Sequence, residues 1–392
     1  MLRPPKGVLV VLGMMGGTPF AGVAWQVLHY LEGFRRLGYD VYYVEDTGDW
    51  PYDPVQNTIT DDPTYTVNYI ARLMAWCGLP DRWAYRAAAQ DGRHYGRSEA
   101  EMEQLWRRAD ALVNLTGATV LREEHLRVPV RIYLETDPVL PEIEVAQGRQ
   151  FTIDLLSAHT HHFSYGENLG APDCGVPVGR FAYHPTRQPI VLDWWAPETV
   201  PPAAGTRFTT IGSWQQSDKD IVWNGETYYW SKHLEFLKFL DLPRRTAVPL
   251  ELALACDDAE VLRLLRAHGW HVVDAMSLSR DIVPYRDYIR GSRGEFTVAK
   301  DQNIRLRSGW FSDRSACYLA SGKPVITQDT GFGNVLPTGR GLFAFRTVDD
   351  VLAALDAIAA DYSGQCRAAR AIAESHFSAE RVVGDVLTKV GI

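Results

Sequence analysis

Cysteine is scarce and unpatterned in this chain. Its five thiols, Cys77, Cys174, Cys256, Cys317 and Cys366, lie far apart, and no C-x-x-C pair occurs. An odd, scattered set builds neither a disulfide framework nor a thiolate zinc site, and it points to a reducing cytoplasm. Long apolar runs are missing too: no window reaches the ~18 residues that suggest a membrane-spanning helix. The opening MLRPPKGVLVVLGMM has two early cations and a short apolar run. It passes into Gly16-Gly17-Thr18-Pro19 without a small-x-small cleavage site, and so reads as a first strand rather than an export signal. Positive charge is not in excess. Forty Lys and Arg face 48 Asp and Glu, for a net charge of −8, which gives no general attraction to nucleic acid or an anionic membrane. A local basic stretch, Arg286 to Arg307, stays compatible with a patch for phosphates. No short-period repeat is present.

What remains is an ordinary globular composition, 46% hydrophobic and 22% charged over 392 residues, long enough for two domains. Gly7 to Met14 reads as a buried parallel-type strand and Gly16 to Gly22 as a glycine turn. Trp25 to Leu37 reads as an amphipathic helix stopped by Gly38, and Asp40 to Glu45 as the next strand. This order opens a doubly wound sheet. Helices are expected over Thr64–Cys77 and Glu99–Arg108. Strands are expected over Ala111–Leu115, Val130–Leu134 and His162–Tyr165. Residues 184–206, with Pro185, Pro189, Pro197, Pro201 and Pro202, are the best linker. A second unit starts at Phe208–Ser213, again a strand running into glycine. Leu250–Ala255 and His271–Val273 are further strands, with Ala259–Ala267 the helix between them, and Arg293–Phe296 reads as a helix start. The expected division is 1–190 and 206–392.

The densest signal is Ser308 to Gly333, SGWFSDRSACYLASGKPVITQDTGFG. It reads as a turn, a helix opened by Ser312 and Asp313 and stopped by Gly322, a strand from Val325, and a second glycine loop. A helix start beside a glycine turn leaves backbone N–H groups free to hold a diphosphate. The pattern Ala320-Ser321-Gly322-Lys323-Pro324-Val325, then Asp329-Thr330-Gly331, resembles the donor half of GT-B glycosyltransferases. So do Gly341-Leu342-Phe343 before Val348-Asp349-Asp350-Val351-Leu352, and the tail Ala368–Lys389. The resemblance covers roughly the last 120 residues.

It implies an α/β chain of two Rossmann-like doubly wound domains facing across a cleft, with closing C-terminal helices and a last helix that returns to the first domain. It also implies a metal-independent transferase with no cofactor beyond a nucleotide-diphosphate sugar, UDP-sugar foremost. The donor would meet Gly309, Ser312, Asp313, Arg314, Ser315, Asp329, Thr330 and Gly331. Lys232 and Lys300 are candidate phosphate cations, Glu295 a candidate for ribose, and Ser213, Gly16 and Gly17 further loop contacts. Asp137, just past a strand, is the candidate base for an acceptor hydroxyl. His161 is a second catalytic candidate, with Glu135 and His159 as competitors. Each also has a plain structural reading: an N-cap, a turn, a solvated lysine or a packed histidine.

The chain departs from the family at several points. Gly309 and Cys317 stand where many retaining enzymes carry the glutamates of E-x7-E, and Arg307 stands where inverting plant-type enzymes carry a histidine. Asp218-Lys219-Asp220 is formally a D-x-D metal motif but lies in a polar stretch, and His159-Thr160-His161-His162 has poor spacing for zinc. The acceptor stays open among a small molecule, a glycan and a modified base in DNA. A non-catalytic sugar- or nucleotide-binding protein is the rival class.

Overall fold

The computed structural model describes residues 4–197, 206–217 and 219–392. The first half is built on Val8–Leu12 (β1), Asp40–Glu45 (β2), Trp83–Ala87 (β5), Arg93–Gly96 (β6), Ala111–Leu115 (β7), Val130–Glu135 (β8), His161–Ser164 (β9) and Tyr183–Pro185 (β10). A small hairpin, Tyr52–Asp53 (β3) with Thr58–Ile59 (β4), lies outside that sheet. The strand order is β10-β9-β8-β7-β1-β2-β5-β6, parallel except for the last pair. Apolar runs such as VLVVL suit strands covered on both faces.

The second half uses Phe208–Ser213 (β11), Leu250–Ala255 (β14), His271–Asp274 (β15), Gly294–Thr297 (β16), Val325–Gln328 (β17) and Leu342–Phe345 (β18). Their order is β15-β14-β11-β16-β17-β18, all parallel. The hairpin Ile221–Trp223 (β12) with Glu226–Tyr228 (β13) stands apart. Local signals fix the helix starts. Ser98 and Glu101 form a capping box for Glu99–Arg108, and the Asp258 carboxylate accepts from the first turn of Ala259–Ala267.

The helix Ala21–Arg36 lies where the two halves meet. It packs on Ile282–Gly291 and, most extensively, on the last helix, Ala379–Val390. Gly33 permits that approach, since a Cβ there would sit 3.2 Å from Val383. One apolar cluster runs through both halves, joining Trp25, Trp195, Ile211, Tyr285, Phe311 and Phe377.

Two expectations are corrected. Arg293–Phe296 does not begin a helix: Gly294–Thr297 is β16, held between β11 and β17. Gly294 is needed there because a Cβ would press on the Phe208 ring and the Pro324 carbonyl. The proline-rich stretch is also not a plain linker. Part of it, 198–205, lies outside the described residues, but Tyr183–Pro185 extends the first sheet, Ile190 bridges Ser378, and Trp195 is buried.

Candidate functional site

Strand order locates the site. In the first sheet the chain runs outward from β1 through β2 to β5, then returns to place β7 on the other side of β1. In the second it runs from β11 through β14 to β15, then returns to place β16 beside β11. Such reversals open a crevice beyond the carboxyl ends of the two central strands. Both crevices are occupied by cavities. Met14 and Thr116, just past β1 and β7, line cavities of about 380 and 770 Å³. Ser213 and Thr297, the last residues of β11 and β16, line a third of about 240 Å³. Asp137 lines all three.

The 240 Å³ cavity gathers the cations. Lys232, Lys300 and Arg314 line it together with Ser312, which precedes the eight-residue helix Asp313–Ala320. Lys232 lies over the Trp310 ring, 5.1 Å from its centre, and burial with the nearby Arg314 and Lys300 charges lowers its pKa from 10.5 to about 7. Lys300 is buried against the Trp230 ring. Burial lowers its pKa, and the Asp137 carboxylate acts in the opposite direction. Arg314 is braced from three sides: Nε donates to Glu295 at 2.6 Å, Nη1 to the Ile211 carbonyl at 2.6 Å and Nη2 to Thr297 at 2.9 Å. Asp313 faces the first half, where Gln26 donates to it at 3.3 Å, and burial raises its pKa to about 7.

The two halves touch directly here. Lys300 Nζ donates to Asp137 Oδ1 at 2.5 Å, and Trp310 Nε1 donates to the Thr136 carbonyl at 2.9 Å. Nothing in the sequence marked Trp230, Trp310 or Thr136 for this place.

Several predicted contacts lie elsewhere. The N–H groups of Gly16 and Gly17 are already taken by the Glu45 carboxyl group, at 2.7 Å for Gly16, so the first glycine loop is occupied from within and leaves no cradle for phosphates. Tyr43 also donates to Glu45, whose pKa burial raises to about 7. Glu295 is fully buried behind Arg314 on β16 and reaches no ribose. Ser315 is buried one turn behind the cleft. His161 opens β9, at the amino end of the sheet, away from the cleft, and its Nδ1 pairs with Thr160. The neighbouring His159 and His162 are buried and bonded to the Leu155 and Leu156 carbonyls.

Gly309, Asp329, Thr330 and Gly331 form a seam rather than a donor loop. Asn168 from the first half donates to the Arg307 carbonyl at 2.8 Å and its backbone N–H to the Ser308 carbonyl at 3.1 Å. Gly309 N–H donates to the Thr330 carbonyl, and Asp329 is held by Arg307, Arg346 and the Gly331 N–H. Positive φ at Gly309 (81°) and Gly331 (93°) allows this crossing.

Of the D-x-D, Asp218 lies outside the described residues and Asp220 accepts from the Trp230 N–H at 2.8 Å. One other group, Asp46, Glu124 and His125, has metal-like spacing. Arg122 is already bonded to both carboxylates, and His125 Nδ1 accepts from the Arg122 N–H at 3.1 Å. That leaves the proton of a neutral ring on Nε2, the atom a metal would need, so the donor set does not fit a cation.

No family model matches the chain, and no curated protein matches it in sequence. Solved structures do. An alpha-glucosyltransferase in complex with UDP and a 13-mer DNA containing an HMU base aligns with a TM-score of 0.60 at 9% identity, over 98% of this chain and 100% of that one. Anabaena HepE in complex with UDP and glucose aligns at 0.56 and 10% identity, over 98% and 100%. Sucrose-phosphate synthase from Thermosynechococcus elongatus aligns at 0.56 and 10%, over 98% and 99%. The chain has the GT-B fold. The three cavities described above therefore occupy the cleft between the two sheets of a GT-B protein. No described helix is long and apolar enough to cross a membrane.

Proposed function

We propose that this GT-B chain is a cytoplasmic glycosyltransferase that moves a sugar from a nucleotide-diphosphate sugar, UDP-sugar foremost, to an acceptor hydroxyl without a metal ion. Residues 206–392 hold the donor and residues 1–190 the acceptor. The observation that carries this reading is the convergence of Lys232, Lys300, Arg314 and a helix start on one cavity, with the Asp137 carboxylate opposite. Three cationic side chains in a small cavity suit a diphosphate, and they take the place that a divalent ion would fill. The structures that align here include complexes with UDP and UDP-glucose, which agrees with that donor class.

The chemistry follows from the placement. The acceptor oxygen attacks the anomeric carbon and gives its proton to Asp137. The carbon–phosphate-oxygen bond breaks, and its electron pair leaves on the nucleoside diphosphate, where Lys300, Lys232 and the helix start meet the charge. The Trp310 and Trp230 rings pack on Lys232 and Lys300 and hold these cations in place.

A thermal-shift screen with nucleoside diphosphates and their sugars tests the reading, because a ligand that binds the folded state raises Tm by mass action. UDP or a UDP-sugar should raise it, and transfer should persist in a strong chelator. If no nucleotide shifts Tm, the donor site is misassigned. Turnover that dies in chelator and returns with a divalent ion would refute the metal-free chemistry.

A further inference from the structure

The largest of the three cavities, about 770 Å³, opens from Asp137 into the first half and has a composition of its own. Four acidic side chains line it, Glu45, Asp49, Glu135 and Asp137, with one cation, Lys219. Burial raises the pKa of Glu45 to about 7 and that of Glu135 well above the usual carboxylate range, and Asp137 is paired with Lys300. Two buried tyrosines, Tyr85 and Tyr133, also line it, each 3% exposed. Among the described residues neither hydroxyl has a hydrogen-bond partner, although each ring packs against a neighbouring ring. Neither hydroxyl is sealed in the core: both open onto the cavity and are free to bond a polar ligand there. The rim is aromatic and open, with Trp50 56% and Phe151 70% exposed.

We infer that this cavity binds a neutral or amino-bearing oligosaccharide of two or three rings as the acceptor, and that it rejects anionic glycans and DNA. This rests on the glycosyltransferase reading, since the acceptor must reach Asp137. Carboxylates and tyrosine hydroxyls accept from sugar hydroxyls or ammonium groups, and Tyr85 and Tyr133 can also donate to ring and ether oxygens. Exposed aromatic faces at the mouth pack on the C–H faces of sugar rings. The volume lies within the range of pockets that enclose a ligand of this size. A phosphate backbone or uronate chain would instead find only Lys219 to pair with, against the Asp49 carboxylate and acids that burial holds toward the neutral form, so its lost hydration would go uncompensated. Two arginines of the Arg286–Arg307 stretch give DNA no free basic track: Arg305 is paired with Glu226 and Asp301, and Arg307 with Asp173 and Asp329.

The full chain, fluorescently labelled, can be applied to an array of neutral, amino-bearing, uronate-bearing and sulfated glycans together with single- and double-stranded DNA, with and without UDP. A separate titration measures UDP alone. Neutral or amino glycans should be retained, and uronates, sulfated glycans and DNA should not. Tyr133→Phe should weaken glycan binding roughly 3- to 10-fold while UDP affinity and Tm stay at parental values, because the lost hydroxyl holds nothing in the free protein. Trp50→Ala should weaken it up to about tenfold. Failure of UDP to bind refutes the donor reading and leaves the glycan arm to be judged by itself. Capture of DNA or anionic glycans, retention of no glycan at all, or a Tyr133→Phe chain that binds glycan as the parent does overturns the acceptor assignment.

Discussion

Asp137 Oδ1 and Lys300 Nζ lie 2.5 Å apart across the cleft, joining the loop after β8 to the loop after β16. Lys300 is almost wholly buried, while Asp137 is 42% exposed and lines every cavity of the cleft. The pair has a consequence for order of binding. A carboxylate held by a lysine is a poor base. A diphosphate that draws Lys300 to itself frees Asp137 to take the acceptor proton, so donor binding prepares the base.

Asp137→Asn should lower transfer by about 10²–10⁴ and leave UDP affinity near the parental value or tighter, since Lys300 is released to the diphosphate. Single-turnover kinetics beside UDP titration separates the two effects. Near-parental turnover would move the base to another group.

Lys232 makes donor binding pH-dependent. Its pKa in the free protein is about 7, and a diphosphate favours the charged form. UDP binding should take up a proton above pH 7, and affinity should fall as pH rises through neutrality. Calorimetry in buffers of different ionisation enthalpy measures that proton directly. Lys232→Met should bind more weakly and lose the proton uptake.

The same lysine affects folding with a defined sign. The unfolded chain holds the proton up to the ordinary 10.5 and the folded one only to about 7, so the unfolded state binds more protons between these values. The Lys232 contribution therefore makes stability rise with pH across that window. Urea unfolding at several pH values should show the slope in the parent and a flatter line in Lys232→Met.

Arg314 is as much a brace as a ligand. Removing it leaves Glu295 charged, buried and unpaired, so Arg314→Ala should cost about 3–5 kcal/mol of stability besides weakening UDP binding. The double variant Arg314→Met with Glu295→Met should regain most of the stability but not the affinity. Denaturant titration and UDP binding on the single and double variants check both parts.

Gly309→Ala places a methyl group 2.7 Å from Asn168 Cβ at a backbone φ of 81°. A cost of about 1–3 kcal/mol is expected from the backbone alone. Because Trp310 and Ser312 follow directly, transfer should fall more than UDP binding does. Parental Tm and turnover in this variant would show that the seam with Asn168 is loose.

Much of the architecture was legible in the chain. Apolar runs such as Val8–Leu12, Ala111–Leu115 and Leu250–Ala255 read directly as buried strands, because a strand covered on both faces needs apolar residues throughout. Helix limits at Glu99–Arg108 and Ala259–Ala267 followed from caps encoded within a few residues. The strand Gly294–Thr297 was misread because its character comes from β11 and β17 on either side, neighbours that sequence order does not reveal.

The site divides in the same way. Sequence alone determined that a helix start would follow Ser312, that a carboxylate would stand past β8 at Asp137, and that lysines and an arginine were available. Those are properties of short segments. Only the tertiary structure decided which of them share a cavity. It brought Lys232 and Lys300 together from two loops with Arg314 from the first turn of a helix, set Asp137 opposite, and withdrew Glu295 behind Arg314. It also gave the glycine loop to Glu45, Asp329 to Arg307 and Arg346, and the Arg307 carbonyl to Asn168. The physical reason is that a buried N–H or charge takes the nearest partner that folding brings to it, and that partner is set by strand order and domain docking across more than a hundred residues of chain.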